Sequence, residues 1–342
     1  MDPAHPSPGA PAFAVLGGGA WGTAMAVALS AHGAVRLWCR DPAQASSLLS
    51  NRENSRLLPG VQLPASVHVS ADLAWSVSGA SRVALAVPVN AVRETCSRIR
   101  ESGALGPRVP LLLLCKGFEL ASGELPHRVV ETELPGYPVF VLSGPSFAAE
   151  VGRGLPTAVS LAGTTLESAR AEVESVHTPR LRVYASDDRI GAEVGGAVKN
   201  VIAIAAGISD ALGFGHNARA ALVTRGLAEI ARLGVALGGQ SQTFYGLAGL
   251  GDLVLTTTSD LSRNRRLGLA VGRGESVEAA STALGQVAEG VKTAQAVARL
   301  GRDMGVDLPI TQAVNSVLFE GVPAQQAVAA LLAREPRAEF GS

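Results

Sequence analysis

The first apolar segment, Phe13-Ala-Val-Leu16, runs directly into Gly17-Gly-Gly19-Ala-Trp-Gly22-Thr23. An alanine-rich stretch with helical patterning follows to about His32, and a second short apolar run comes at Val35–Cys39. Strand, G-x-G-x-x-G turn, helix, strand is the order that most constrains what this chain can become. The first glycine allows a tight turn and the second lets backbone approach a pyrophosphate. The third lets the helix pack close to the strand, and the helix N-terminus faces the anion. A lone glycine motif is weak evidence and has an ordinary turn as its alternative. In a βαβ unit it predicts a dinucleotide-binding domain. Such domains usually carry an acid after the second strand, about 20 residues on, to hold a ribose 2′-hydroxyl. Here that strand ends in Cys39-Arg40-Asp41. Arg40 suits a 2′-phosphate and favours NADP over NAD. Asp41, followed by Pro42, reads as a helix cap.

The strand rhythm continues at Val67–Val69, Arg82–Pro88, Val109–Cys115, Val139–Leu142, Thr157–Leu161 and Leu181–Tyr184. Nearly continuous apolar runs belong to strands covered on both faces, hence to a mostly parallel sheet. From about Asp187 onward the pattern becomes helical, in segments at Ile190–Leu212, Ala218–Leu237, Ser276–Leu284, Val291–Met304, Ile310–Phe319 and Ala324–Leu332. The expected fold is α/β: a Rossmann-type doubly wound domain over 13–187, then an all-helical domain over 188–334. Short tails cover 1–12 and 335–342.

Composition narrows the function. The chain has 342 residues, with 29 basic against 29 acidic. This balance argues against a nucleic-acid or polybasic membrane partner and leaves room for a local anion pocket. Cys39, Cys96 and Cys115 form no CxxC, and the six histidines are scattered, so neither a disulfide framework nor a metal site is expected. The cysteine usage fits a reducing cytosol, and no run of about 18 apolar residues suggests membrane insertion. Only three of the basic residues are lysines: Lys116, Lys199 and Lys292. Lysine can lose its proton at workable pH and arginine cannot, so each lysine is informative.

Lys116 follows a leucine-rich strand, where an open α/β sheet binds ligands; a solvated loop lysine is the alternative. The Ser143-Gly-Pro-Ser146 turn offers backbone N–H groups and hydroxyls to a phosphate, or is an ordinary strand-to-helix turn. Lys199 sits among small apolar residues in Gly195-Gly-Ala-Val-Lys-Asn-Val-Ile-Ala203. Desolvation lowers a lysine pKa toward the range of a general acid–base, unless the side chain snorkels outward. Asp252 and Thr256 are four apart on one helical face, where Asp252 pairs with Lys199 or caps the helix. Ser262-Arg-Asn-Arg-Arg266 reads as forked phosphate donors or as a solvated charge run.

With these residues placed, the chain resembles bacterial-type NAD(P)-dependent glycerol-3-phosphate dehydrogenases from about Phe13 to Leu332. The matching motifs are Gly-Gly-Gly-Ala-Trp-Gly-Thr (17–23), Lys-Gly-Phe-Glu (116–119), Ser-Gly-Pro-Ser-Phe-Ala (143–148), Gly-Gly-Ala-Val-Lys-Asn-Val-Ile-Ala (195–203), Gly-Phe-Gly-His-Asn-Ala-Arg-Ala-Ala-Leu (213–222), Gly-Leu-Gly-Asp-Leu (249–253), Ser-Arg-Asn-Arg-Arg (262–266) and Glu-Gly (289–290). The resemblance implies NAD(P)H-dependent, reversible reduction of dihydroxyacetone phosphate to sn-glycerol 3-phosphate, supplying glycerophospholipid synthesis in the cytoplasm. It implies Lys199 as proton donor and acceptor at the C2 oxygen, held by Asp252, with Lys116 where cofactor and substrate meet. Gly144, Ser146, Asp252, Thr256, Ser262, Arg263 and Asn264 match substrate positions. Gly17, Gly19, Ala20, Trp21, Gly22, Arg40, Lys116, Ala148, Arg263, Val287 and Glu289 match cofactor positions. Ala20 stands where members often carry serine, removing one hydroxyl contact to the cofactor phosphates. A homodimer fits the glycine-broken apolar helices. Two other readings are another two-domain hydroxyacid or ketopantoate-like dehydrogenase and a non-enzymatic NADP sensor. The first needs a carboxylate anchor, and the second has no use for Lys199 and Asp252.

Overall fold

The computed structural model describes residues 12–285 and 289–334. The chain forms two compact units. The first takes the described residues up to Gly196 together with Gly238–Asp252, and the second takes Ala197–Leu237 and the described residues from Leu253 onward.

The first unit holds eight strands: β1 (Phe13–Leu16), β2 (Val35–Trp38), β3 (Val67–Ser70), β4 (Arg82–Leu85), β5 (Leu111–Leu113), β6 (Val139–Ser143), β7 (Thr157–Ala162) and β8 (Leu181–Ser186). They form one sheet in the order β3-β2-β1-β4-β5-β6-β7-β8, parallel throughout except at β6–β7. Each of the eight expected runs is a strand. Successive residues alternate between two apolar cores. Phe13, Val15, Leu37 and Leu112 face one, while Ala14, Leu16, Trp38, Leu111 and Leu113 face the other. Burial on both faces is the physical reason these strands read as unbroken apolar runs. Helices α1 (Ala20–Leu29), α2 (Pro42–Asn51), α3 (Leu73–Val77), α4 (Val92–Ser102), α5 (Pro126–Glu133), α6 (Ala148–Gly152) and α7 (Leu166–Val176) accompany the sheet. Strand order reverses between β1 and β4, so the glycine turn after β1 opens at the switch point, where such sheets bind ligands.

Helix α8 (Arg189–Ala211) begins close to the expected boundary at 187, yet the compact units divide at Gly196. The cause is close packing. A Cβ on Gly195 would lie 2.4 Å from the Ala248 carbonyl oxygen, and one on Gly196 would lie 2.9 Å from Ser143 Oγ. These two glycines hold the start of α8 and the 238–252 segment in the first unit. By length and composition α8 is apolar enough to cross a membrane, although Glu193 and Lys199 interrupt its apolar run. However, 94% of its most apolar stretch is buried in the protein, as in a core helix.

The second unit contains the rest of α8, then α9 (Gly215–Ala236), α10 (Asp252–Thr258, from Leu253), α11 (Arg263–Gly272), α12 (Val277–Ala283), α13 (Glu289–Asp303), α14 (Pro309–Phe319) and α15 (Ala324–Leu332). Val201, Ile204 and Ile208 of α8 fall on one face and pack with Leu267, Val271, Ala294, Val314 and Leu318. Backbones of α8 and α11 meet at glycines: a Cβ on Gly207 or Gly268 would lie 2.1 Å from the Arg265 or Ile204 carbonyl oxygen. The Glu229 carboxyl of α9 caps α14, accepting from Ile310 N (2.5 Å), Thr311 N (3.1 Å) and Thr311 Oγ1 (3.0 Å).

Candidate active site

The glycine turn has the shape a dinucleotide requires. Gly17 takes φ +127°, a region closed to most side chains, and a Cβ there would lie 2.7 Å from the Ala86 carbonyl oxygen. On Gly22 a Cβ would lie 1.9 Å from the Gly17 carbonyl oxygen, so only glycine lets α1 start so close to the turn. Gly19 differs: a Cβ there would meet nothing within 4 Å. That open side leaves room for a phosphate to approach the backbone. Gly19 caps α1 with no side-chain hydrogen bond, so Ala20, Trp21 and Gly22 present their N–H groups without a capping side chain. These residues fit a dinucleotide. Trp21 donates from Nε1 to the Leu114 carbonyl at 3.1 Å, tying α1 to the strand that leads to Lys116.

After β2, Arg40 is exposed, and among the described residues no ion pair or hydrogen bond is found for its side chain. Asp41 is the cap of α2: its Oδ1 accepts from Ala43 N at 2.9 Å, with Pro42 in the first turn. Beneath the turn lies the Cys39 thiol, which burial, and then Asp41, pushes up to about 12. The thiol is therefore neutral near pH 7.

A second cluster forms at the ends of β5 and β6. Lys116 Nζ donates to Asp252 Oδ2 at 2.6 Å and to the Gly144 carbonyl at 3.1 Å. The same carbonyl accepts from Ser146 Oγ at 2.9 Å. Lys116, Gly144, Ser146 and Asp252 therefore come together. The Lys116 side chain is 15% exposed and that of Asp252 only 1%, so this is a buried ion pair with a lysine proton left for an anion. Ala148 opens α6 and is half-buried. The Lys116 loop has an anchor that the sequence did not reveal: Glu119 takes a forked bond from Arg93 (Nε 2.9 Å, Nη2 2.7 Å). The Arg93 hydrogen bond holds the Glu119 carboxyl below its usual range. Ser143 is 2% exposed, and among the described residues its Oγ has no hydrogen-bond partner.

In the second unit Lys199 is 7% exposed on α8, three residues beyond Gly196, and Thr256 of α10 is 4% exposed. The 262–266 run is the start of α11, with Arg263 and Arg266 exposed. Ser262 caps it, accepting from Arg265 N at 3.2 Å. Arg265 is spent on structure, paired with Asp210 and Asp260, while Arg263 is exposed. Asn264 donates to Asn200 Oδ1 at 2.9 Å and accepts from Gly290 N at 3.0 Å, linking the lysine helix to the first turn of α13, where Glu289 is exposed. Val287 lies outside the described residues.

A glycine turn at a sheet's switch point, with a lysine after β5 paired to the aspartate that opens α10, fits a dinucleotide-dependent dehydrogenase. Comparison with known proteins gives the family. Residues 12–169 match the N-terminal region of NAD-dependent glycerol-3-phosphate dehydrogenase, and residues 188–329 match its C-terminal region. A glycerol-3-phosphate dehydrogenase [NAD(P)+] of Nitrosospira multiformis is 53% identical over 333 residues, covering 96% of this chain and 99% of that protein. The crystal structure of a glycerol-3-phosphate dehydrogenase from Coxiella burnetii superposes with TM-score 0.90 at 42% identity, covering 94% of this chain and 98% of the other. The chain belongs to the NAD-dependent glycerol-3-phosphate dehydrogenase family. A ketopantoate reductase from Ralstonia eutropha shares the fold alone, at 17% identity and TM-score 0.57 over 92% of this chain and 99% of the other.

Proposed function

We propose that this enzyme interconverts dihydroxyacetone phosphate and sn-glycerol 3-phosphate with NADPH or NADH, in the direction that supplies glycerophospholipid synthesis. The observation that carries the substrate assignment is the Lys116–Asp252–Gly144 cluster: a fixed, partly buried ammonium beside a strand end is a phosphate anchor. When bound, the nicotinamide dinucleotide supplies the hydride that reduces the C2 carbonyl. Gly17, Gly19, Ala20, Trp21 and Gly22 hold its pyrophosphate side. Arg40, free of ion pairs among the described residues, reads a 2′-phosphate, so NADP is preferred. Ala148, Arg263, Val287 and Glu289 complete the cofactor contacts.

Lys199 donates a proton to the C2 oxygen as negative charge develops there, and withdraws it in the reverse direction. Its burial keeps bulk water from competing for that proton. Lys116, Ser146, Ser262, Arg263, Asn264 and Thr256 bind and orient the substrate, so binding energy serves C2 positioning as well as affinity. Asp252 fixes the Lys116 ammonium. The reading also includes a reducing cytosol, where Cys39, Cys96 and Cys115 persist as free thiols, and a homodimeric assembly.

The test follows nicotinamide oxidation with dihydroxyacetone phosphate. Wild type turns over, and Lys199→Ala loses roughly 10²–10⁴-fold in rate, the usual worth of a general acid. Full turnover by that variant removes Lys199 from the chemistry. Wild-type turnover of ketopantoate in place of the phosphate ester overturns the substrate assignment.

A further inference from the structure

Three consecutive glycines, Gly17 to Gly19, have no side chains to fix the planes of their peptides, so the turn's orientation must be set from outside. The Gly18 carbonyl is held by two amides. Gln44 Nε2 donates to it at 2.5 Å from α2, and Asn54 Nδ2 donates at 3.0 Å from the loop after α2. Asn54 is 5% exposed, and its second N–H goes to Thr23 Oγ1 of α1 at 2.8 Å. Its own backbone carbonyl is pinned by Leu57 N (3.1 Å) and Leu58 N (2.7 Å). Two donors saturate the lone pairs of one carbonyl oxygen, and both Asn54 protons are used. Both N–H groups of this buried amide are thus committed to the glycine turn and the helix that follows it.

The geometry points to Asn54, assisted by Gln44, as a positioning residue for the cofactor's pyrophosphate. In a planar trans peptide the C=O and the following N–H point in opposite directions. Holding the Gly18 carbonyl toward α2 therefore turns the Gly19 N–H the other way. A flip of this peptide would instead present a carbonyl dipole to the anion and remove a donor. The two amides suppress that flip before the cofactor arrives, which saves binding free energy otherwise lost to ordering. A side chain at position 18 is excluded as well, since a Cβ on Gly18 would lie 2.4 Å from Cys39 Sγ. This inference rests on reading the glycine turn as the pyrophosphate site.

The test compares equilibrium binding of ADP-ribose, which carries the pyrophosphate, with that of adenosine, which lacks it, the latter by ligand-observed NMR. Asn54→Ala is expected to weaken ADP-ribose about tenfold, the worth of an oriented donor to a charged group, and to leave adenosine within about twofold. Gln44→Ala sits on a half-buried helix position and provides a second variant for the case that Asn54→Ala does not fold. It is expected to weaken ADP-ribose about threefold with adenosine unchanged. Unchanged ADP-ribose binding in a folded variant overturns the proposal, as does an equal loss for both ligands, which marks general damage. Wild type that binds adenosine and not ADP-ribose refutes the pyrophosphate site itself, a separate failure.

Discussion

The Lys116–Asp252 pair gives the sharpest quantitative test of the site. At 2.6 Å and an effective dielectric of about 20, the gross attraction is about 6 kcal/mol, much of it offset by desolvation of two largely buried charges. Removing one partner leaves the other charge buried and uncompensated, a loss of about 3 kcal/mol or more. Lys116→Met and Asp252→Asn are each expected to lower kcat/KM for dihydroxyacetone phosphate by about 10²-fold, at about 1.4 kcal/mol per tenfold. If the aspartate acts by holding the lysine, the double variant loses little more than the worse single variant. The coupling is then about 2–3 kcal/mol, within the range found for contacting residues. Full kinetics of the four proteins in the cycle, at one pH and ionic strength, measure it. If Asp252 acts independently, for instance through Lys199, the losses multiply toward 10⁴-fold. Multiplication within a factor of two to three refutes the anchoring role.

Two further outcomes follow from single groups. Burial pushes the Glu229 carboxyl from 4.5 to about 7, despite three donors from the α14 N-terminus. A folded-state pKa above the unfolded one means the native state holds its proton longer, so stability falls as pH rises from about 4.5 through 7. At about 1.36 kcal/mol per pH unit the loss approaches about 3 kcal/mol. Denaturation midpoints at pH 5 and pH 8 should differ less in Glu229→Gln than in wild type, and equal differences contradict the assignment. For cofactor choice, Arg40→Ala should lower kcat/KM for NADPH by about tenfold or more and leave NADH nearly unchanged. Equal loss for both cofactors means that Arg40 does not read the 2′-phosphate.

Much of the fold was legible because its signals are local. Apolar runs such as Val139–Leu142 mark strands whose alternate residues enter two cores, and Pro42 with Asp41 marks the start of α2. The antiparallel β6–β7 pairing was not legible, since an apolar strand reads the same in either direction. Helix α11 was hidden because Arg263, Arg265 and Arg266 break the apolar pattern. Arg265 finds its charge partner at Asp210, 55 residues away. Local periodicity carries no trace of such a pair.

The same distinction divides the site. Residues proposed to touch ligands need special chemistry at a fixed place in the chain, as with Gly17, Gly22, Lys116 and Lys199, and this leaves a mark in the sequence. Residues that hold those groups in place need only be amides or carboxylates in reach, and their partners come from distant segments. Asp252 is 136 residues from Lys116, Asn54 is 36 from Gly18, and Glu119 is bound by an arginine 26 residues earlier. An asparagine in a polar stretch such as Asn51-Arg-Glu-Asn54 has no spacing that distinguishes it from a loop residue. Its role becomes visible only when the carbonyl it holds is seen, and that carbonyl belongs to a glycine with no side chain of its own. In this chain the supporting shell is therefore the part that three-dimensional structure adds, and it is the part on which the orientation of the anion-binding backbone depends.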